Sequence, residues 1–411
     1  MEAIAESPKH QKRDNGEYYW KTAGEEEETW SVLPDHLLWM IRERLNFVQN
    51  LYVAAVCKNW WSASPTCSNI TTTRFSLPWI MGYRGHDSTE QEFIDPWYRK
   101  KYIINLPDLS RAHVIYSKEG WLLVLKTIGV ENRMGPTLTR TKSIEGSKEC
   151  SPFLLNPLTK AKIELPKLPY ACVLAGTFSI IDGAIGHVAF AAYDDGVIFP
   201  SSGDSDSPNL FIANLRDRSG DDETSWMWFK YTPPFGVENI DRVVGFLIIG
   251  GLLYLFDAKA GMFVFDLLTL AWKEYRRFGN VDIFSYILEC EGEIIDMHMN
   301  EWRDGFRFFK LNLNDSSDSE VDWVELKDDD VLIQDRVWFT GQRSSSSFTR
   351  KVKLDEGSSM KKIVYHNRVI FQKDYRAAKW ILSKVEFDGL EKSGVYVDQK
   401  HHYLPLWVDI S

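Results

Sequence analysis

Along most of this chain, apolar residues come in short runs bounded by glycine, proline, asparagine or aspartate. From about residue 71 onward the runs read HVIYSKEGWLLVLK (113–126), GHVAFAAY (186–193), VVGFLIIGGLLYLF (243–256), EIIDMHM (293–299) and VIFQKDY (369–375). Runs of this length, rich in β-branched and aromatic residues and closed by turn formers, predict strands, and no long helical pattern interrupts them.

One segment departs from that texture. Between residues 30 and 64, Leu33, Leu37, Leu38, Ile41 and Leu45 recur at the spacing of one helix face, with Pro34 at the start, where a missing N–H costs little. A second helix is expected from about Leu51 to Ser62, carrying Val53, Val56, Cys57 and Trp60 on one side and stopped by Pro65. So short a helical pair cannot bury this much apolar surface against itself. It either caps its own chain or is a handle for a second one. Residues 1–29 mix charge and small polar types, including the acidic run Glu25 to Glu28, and read as a disordered lead-in.

The strand-rich region repeats. Half of each unit is a polar turn followed by a strand: EGWLLVL, IGHVAFAAY, GGLLYLF, EGEIIDM, HNRVIFQ. The other half is a strand, a turn and a strand that often carries tryptophan: FLLNPLTKAKIEL, LFIANLRDRSGDDETSWMWFKY, MFVFDLLTLAWKEY, FKLNLNDSSDSEVDWVEL and, less clearly, WILSKVEFDGL. Five such pairs, with Ser/Asp-rich loops expected at 201–208, 314–320 and 344–358, predict four-stranded blades arranged radially. Strands from residues 70–110 and the C-terminal HYLPLWVDIS are candidates for a sixth blade or for closing the ring. A sandwich or open barrel is the competing architecture.

Composition narrows the functional classes. The 411 residues carry 48 Lys and Arg against 58 Asp and Glu, a formal charge of -10, which disfavours non-specific binding to nucleic acid or anionic membrane. Five scattered cysteines form no CxxC pair, as expected of reduced thiols rather than a disulfide framework or zinc site. The N-terminus lacks an apolar signal core, and nowhere do about 18 apolar residues run consecutively. The expectation is a nuclear or cytoplasmic protein with no membrane span.

A search for chemistry finds little. His401-His402 point to opposite faces of a strand, and Asp296-x-His298 shares one face without further ligands. The acidic runs at Asp204-x-Asp206 and Asp315 to Asp322 lack the glycine and terminal glutamate of a calcium loop. Gly250-Gly251 reads as a turn between apolar strands, not a phosphate cradle, and Cys57 as a small buried hydrophobe. No metal, cofactor or catalytic residue is expected. Of the 16 tryptophans and 23 phenylalanines most should fill the core, leaving Trp226, Trp228 and Trp302 as candidates for a recognition surface.

The helical residues Leu33-Pro34, Leu37-Leu38, Ile41, Leu45, then Ala55-Val56-Cys57-Lys58 and Trp60, resemble an F-box. Trp61, where many F-boxes carry arginine, and the Asn46 to Asn50 turn are departures. SLPWIMGY (76–83), SKEGWLLVLK (117–126), the 153–169 run and HYLPLWVDIS are similar to the KIB-type, kelch-like propeller of a large group of plant F-box proteins. The double glycine, later strand, turn and tryptophan of 250–272 also resemble a kelch unit.

The resemblance implies a mainly β protein: a lead-in over 1–29, an F-box module over 30–70, and over 71–411 a propeller of about six blades, seven being the alternative. It further implies a substrate-recognition subunit of a Skp–cullin–F-box ubiquitin ligase. Leu33, Pro34, Leu37, Leu38, Ile41, Leu45, Val56, Cys57 and Trp60 would face the Skp-type adaptor, which leads to cullin and RING subunits, and the propeller would hold a protein target. Two readings compete with it: a propeller scaffold with a vestigial F-box, and a propeller enzyme, which would leave the helical pair without a purpose.

Overall fold

A computed structural model describes residues 10–12, 18–20, 33–42, 45, 47–62, 78–83, 87–95, 100–127, 150–168, 172–193, 209–214, 227–233, 243–257, 261–275, 285–299, 306–313, 321–327, 330–333, 336–340, 348–351, 363–371, 378–386, 395–399 and 406–408. The chain divides into two compact units, Met1–Phe75 and Ser76–Ser411. No helix among the described residues is long and apolar enough to cross a membrane.

Among the described residues the first unit holds three short helices: α1 (Asp35–Arg42), α2 (Phe47–Ala54) and α3 (Lys58–Ser62). Pro34 precedes α1, and its carbonyl accepts from the amides of Leu37 and Leu38. Its missing N–H therefore falls where no helical partner exists, and Asp35 follows at the positive end of the helix.

The single second helix expected from Leu51 to Ser62 is two helices. The amides of Ala55 and Val56 turn back to Tyr52 and Val53, three residues earlier, and tighten α2 to its end. α3 then starts afresh: the Cys57 carbonyl takes the Trp61 amide at 2.9 Å, and the Cys57 sulfur accepts from the Trp60 amide at 3.5 Å. Part of the lead-in is also ordered, because His10–Lys12 and Tyr18–Trp20 pair as an antiparallel hairpin. The aromatic run Tyr18-Tyr19-Trp20 supplies the β propensity that a composition argument averaged away.

The second unit is a β-propeller, with six sheets among the described residues. Blades 2 to 5 are antiparallel meanders of four strands. Blade 2 is Ala112–Lys118, Trp121–Thr127, Cys150–Leu155 and Lys162–Glu164. Blade 3 is Cys172–Ile181, Ala184–Tyr193, Asn209–Asn214 and Phe229–Tyr231. Blade 4 is Val243–Ile249, Leu252–Asp257, Gly261–Asp266 and Trp272–Tyr275. Blade 5 is Ser285–Cys290, Glu293–Met299, Phe306–Leu313 and Val321–Glu325. The first strands of successive blades neighbour one another, which puts them on the inside of the ring.

The polar turns read from sequence join the first two strands of each blade. Glu119-Gly120, Asp182-Gly183, Gly250-Gly251 and Glu291-Gly292 all have positive φ at both residues. That is the signature of the I′ turn, whose twist matches the flanking strands.

Blade 1 joins the two ends of the unit. The C-terminal strand Leu406–Val408 pairs with Trp79–Tyr83, followed by Glu90–Asp95 and Lys100–Asn105. The segments expected either to form a sixth blade or to close the ring thus do both.

Blade 6 departs from the others. Its order is Phe348–Lys351, Arg336–Thr340, Ile363–Phe371, Ala378–Glu386, Val395–Gln399. The chain enters at the second position, reaches the inner strand next, and then skips outward. Ile363–Phe371 consequently runs parallel to Arg336–Thr340. Two expectations are corrected here: HNRVIFQ lies in the third strand of its blade rather than the second, and the 344–358 loop contains a strand. The loop between its two inner strands, 341–347, lies outside the described residues.

Packing explains why the runs look continuously apolar. In blade 3, Val188, Phe190 and Ala192 pack towards blade 2, while Ala189 and Ala191 pack towards blade 4. Both faces of each middle strand are buried, so no polar alternation survives.

Candidate functional site

The sequence placed the candidate site on α1 to α3. α1 turns Leu38 inward, 1% exposed, with Arg42 one turn later buried beside it in register. The Arg42 Nε–H donates to the Asn50 Oδ1 at 3.2 Å, and the Asn50 amide donates to the carbonyls of Arg42 and Leu45, each at 3.1 Å. Asn50, buried inside α2, thereby ties down the end of α1 and the turn after it. The turn expected over Asn46 to Asn50 is corrected here, because Phe47 to Asn50 are the first residues of α2.

What remains faces outward. Leu37, Trp39, Met40 and Ile41 of α1 are exposed, as are Tyr52 at 70%, Val56 at 58% and Trp61 at 69%. Leu33, Leu45, Cys57 and Trp60 are half-buried, and Pro34 is exposed. Of the nine residues assigned to the adaptor face, Leu38 is thus an interior residue, and the other eight keep accessible surface. Trp39, Met40, Tyr52 and Trp61 add apolar area that a strict helical stripe leaves out. The signal for them was present: large apolar side chains off the stripe of a short helix have no core of their own to enter.

The other candidates fall out differently. Trp228 is structural: its indole N–H donates to the Pro166 carbonyl of blade 2 at 2.8 Å, and its ring meets Phe190 edge-on at 5.3 Å. Trp226, Trp302, His401 and His402, and the acidic loops 201–208 and 314–320, lie outside the described residues. Asp296 and His298 do share a face, and the Ser285 hydroxyl joins them, at 3.0 Å from the Asp296 carboxylate and 3.4 Å from the His298 Nδ1. Among the described residues no group of three or more His, Cys, Asp or Glu is placed to hold a metal ion. Cys290 is buried next to Ile295 and Trp338, and burial pushes its thiol up to about 11, the protonated and unreactive form.

Blades 2 and 4 share a second local device. In blade 2 the Asn156 side chain accepts from the amides of Leu158 and Thr159, and in blade 4 Asp266 accepts from those of Leu268 and Thr269. The residue that follows each, Lys160 or Leu270, is left-handed with its amide on the carbonyl of Asn156 or Asp266. NPLTKA and DLLTLA are therefore one turn written twice.

With the repeat established, comparison decides the family. The KIB1-4 beta-propeller domain matches residues 92–396, most of the chain. The chain belongs to the KIB1-4 β-propeller family. It is similar to F-box protein At3g56470 of Arabidopsis thaliana, 35% identical over 100 residues, covering 24% of this chain and 26% of that one. It is likewise similar to F-box protein At4g12382, 28% over 143 residues, covering 35% of this chain and 86% of the relative. F-box/kelch-repeat protein At1g57790 is 33% identical over 96 residues, 23% of this chain and 26% of its own. The match spans only about a quarter of the first and third of these relatives. The resemblance to plant F-box proteins with a KIB-type propeller, read first from scattered motifs, thus holds for the chain.

Proposed function

We propose that this KIB1-4 family chain is a substrate-recognition subunit of a Skp–cullin–F-box ubiquitin ligase. The helical module docks on the Skp-type adaptor and the propeller holds a protein target. The observation that carries the reading is the row of outward-facing apolar side chains on α1 and around α2 and α3, on a unit whose inward positions are already taken by Leu38, Arg42 and Asn50. A helical surface of this kind is buried when it fits a groove of a second chain. The similarity to F-box proteins supports the same partner. Ubiquitin transfer would then occur on other subunits, and this chain needs no catalytic group of its own.

Co-purification with a Skp-type adaptor tests it. The full chain should form a stoichiometric complex, and Leu33→Ala with Pro34→Ala should weaken it on the order of thirtyfold, the effect of losing roughly 2 kcal/mol from an interface centre. A chain that captures no adaptor, or a double variant that binds as well as the parent, overturns the receptor reading and leaves a propeller scaffold with a vestigial F-box.

A further inference from the structure

One ion pair of the propeller joins residues 171 positions apart: the Lys118 ammonium lies 2.8 Å from the Glu289 carboxylate. Lys118 ends the inner strand of blade 2, and Glu289 is next to last on the inner strand of blade 5. In a ring of six, two blades separate these on either side. A direct contact between them therefore crosses the propeller axis, at the end where the Glu119-Gly120 and Glu291-Gly292 turns lie.

The two blades it joins flank the sector in which the ring closes and in which blade 6 breaks the regular strand order. Going one way, blade 2 reaches blade 5 through the inner strands of blades 3 and 4, ten and seven residues long. Going the other way it passes through blades 1 and 6, whose inner strands Leu406–Val408 and Phe348–Lys351 have three and four residues. Blade 1 is also where the two ends of the second unit meet, held there by Leu406↔Met81, Trp407↔Ile80 and Val408↔Trp79.

We infer that the Lys118–Glu289 pair is an axial tie that holds blades 2 and 5 together across the ring and so keeps the closing sector of blades 6 and 1 shut. The pair suits the task. Its side chains are 22% and 33% exposed, so solvent screens it less than a surface pair. Burial works against the Lys118 charge, but Tyr116 and Glu289 outweigh it and raise its pKa above the ordinary lysine value. The ammonium therefore stays charged throughout the neutral range. Tyr116, buried two residues before, packs edge-on against Phe178 of blade 3 at 5.3 Å and anchors the strand from which the lysine reaches.

Amide hydrogen exchange on the full chain tests the tie, and its outcome is independent of adaptor binding. In Lys118→Met or Glu289→Gln, exchange in Leu406–Val408, Trp79–Tyr83 and Phe348–Lys351 should accelerate about three- to fivefold, the range of a partly shielded ion pair. Exchange in Val243–Ile249 should stay at the parent rate. The double variant should be no faster than either single one, and the charge swap Lys118→Glu with Glu289→Lys should recover part of the protection. If Lys118→Met fails to fold, the near-isosteric Glu289→Gln carries the same readout. Unchanged exchange in the closing strands, equal acceleration in all inner strands, or additive single effects would each overturn the inference.

Discussion

In blade 4, Leu253 and Leu255 face blade 3 while Tyr254 and Phe256 face blade 5, so one strand uses both its sides against its own chain. In α1, Leu38 and Arg42 alone are buried, and Leu37, Trp39, Met40 and Ile41 stay in solvent. Similar apolar content thus serves opposite ends. Where the backbone repeats radially, each blade completes the core of the next, and the last strand returns to complete the first. Where three short helices stand with few positions turned inward, the surplus has nowhere to go within the module. The lesson is that apolar residues signal a partner when the local architecture offers no second face to receive them.

The largest effect should come from the propeller. Phe265 has no exposed surface and sits between Tyr231 of blade 3 at 4.7 Å and Trp272 of its own blade at 4.9 Å. Phe265→Ala should cost about 3–5 kcal/mol through lost burial and the cavity left behind, read as a lowered midpoint in thermal or denaturant unfolding. A change below about 1 kcal/mol would mean the interblade seam does not hold the ring.

The reciprocal substitution belongs to the module. Leu37→Ala with Ile41→Ala should leave unfolding within about 0.5 kcal/mol of the parent, because both side chains are already exposed. Adaptor affinity should fall at least about thirtyfold, measured by titration calorimetry. If stability drops and affinity does not, the exposed face of α1 is a packing surface and the contrast drawn above collapses.

Asn50→Ala sharpens the same contrast from inside the module. It removes the partner of the Arg42 and Leu45 carbonyls and of the Arg42 Nε, a loss of about 1–3 kcal/mol for buried polar groups left short of partners. Helicity of the isolated first unit cannot be assumed, so the readout is adaptor affinity of the full chain together with exchange protection in α1 and α2. Both should fall, although Asn50 itself is buried and offers no contact.

Four regular blades were legible because each carried its own punctuation. A glycine in left-handed conformation opens the second strand, and Asn156 or Asp266 marks the later turn. Blade 6 was half legible because its chain does not run strand to neighbouring strand, and a strand that skips a position leaves no trace in composition. The break between α2 and α3 escaped notice because Val53, Val56, Cys57 and Trp60 keep helical spacing across it, and spacing does not register where hydrogen bonds shorten. In the candidate site the stripe of Leu33, Leu37, Ile41 and Leu45 was visible. The inward role of Leu38 and the outward one of Trp39 and Met40 were not, since a helix on so small a unit has a narrow buried face that periodicity alone does not orient.

The smallest effect concerns the turn that blades 2 and 4 share. Asp266 is half-buried, and its bonds from the amides of Thr269 and Leu268 hold its carboxyl below the ordinary aspartate range. A folded pKa below the unfolded one contributes stability above the unfolded value, and that contribution disappears as pH falls through the folded one. The window is therefore acidic, below about pH 4. Asn156 makes the same turn in blade 2 without an ionisable group, so Asp266→Asn should preserve the fold and remove the titration. Unfolding midpoints of the two proteins, compared between pH 7 and pH 3, should lie close at neutral pH, with the aspartate slightly ahead. The aspartate's advantage should vanish on acidification. Parallel curves down to pH 3 would show that the carboxylate contributes nothing to the turn beyond what an amide oxygen supplies, and that the local chemistry of the repeat is set by shape rather than charge.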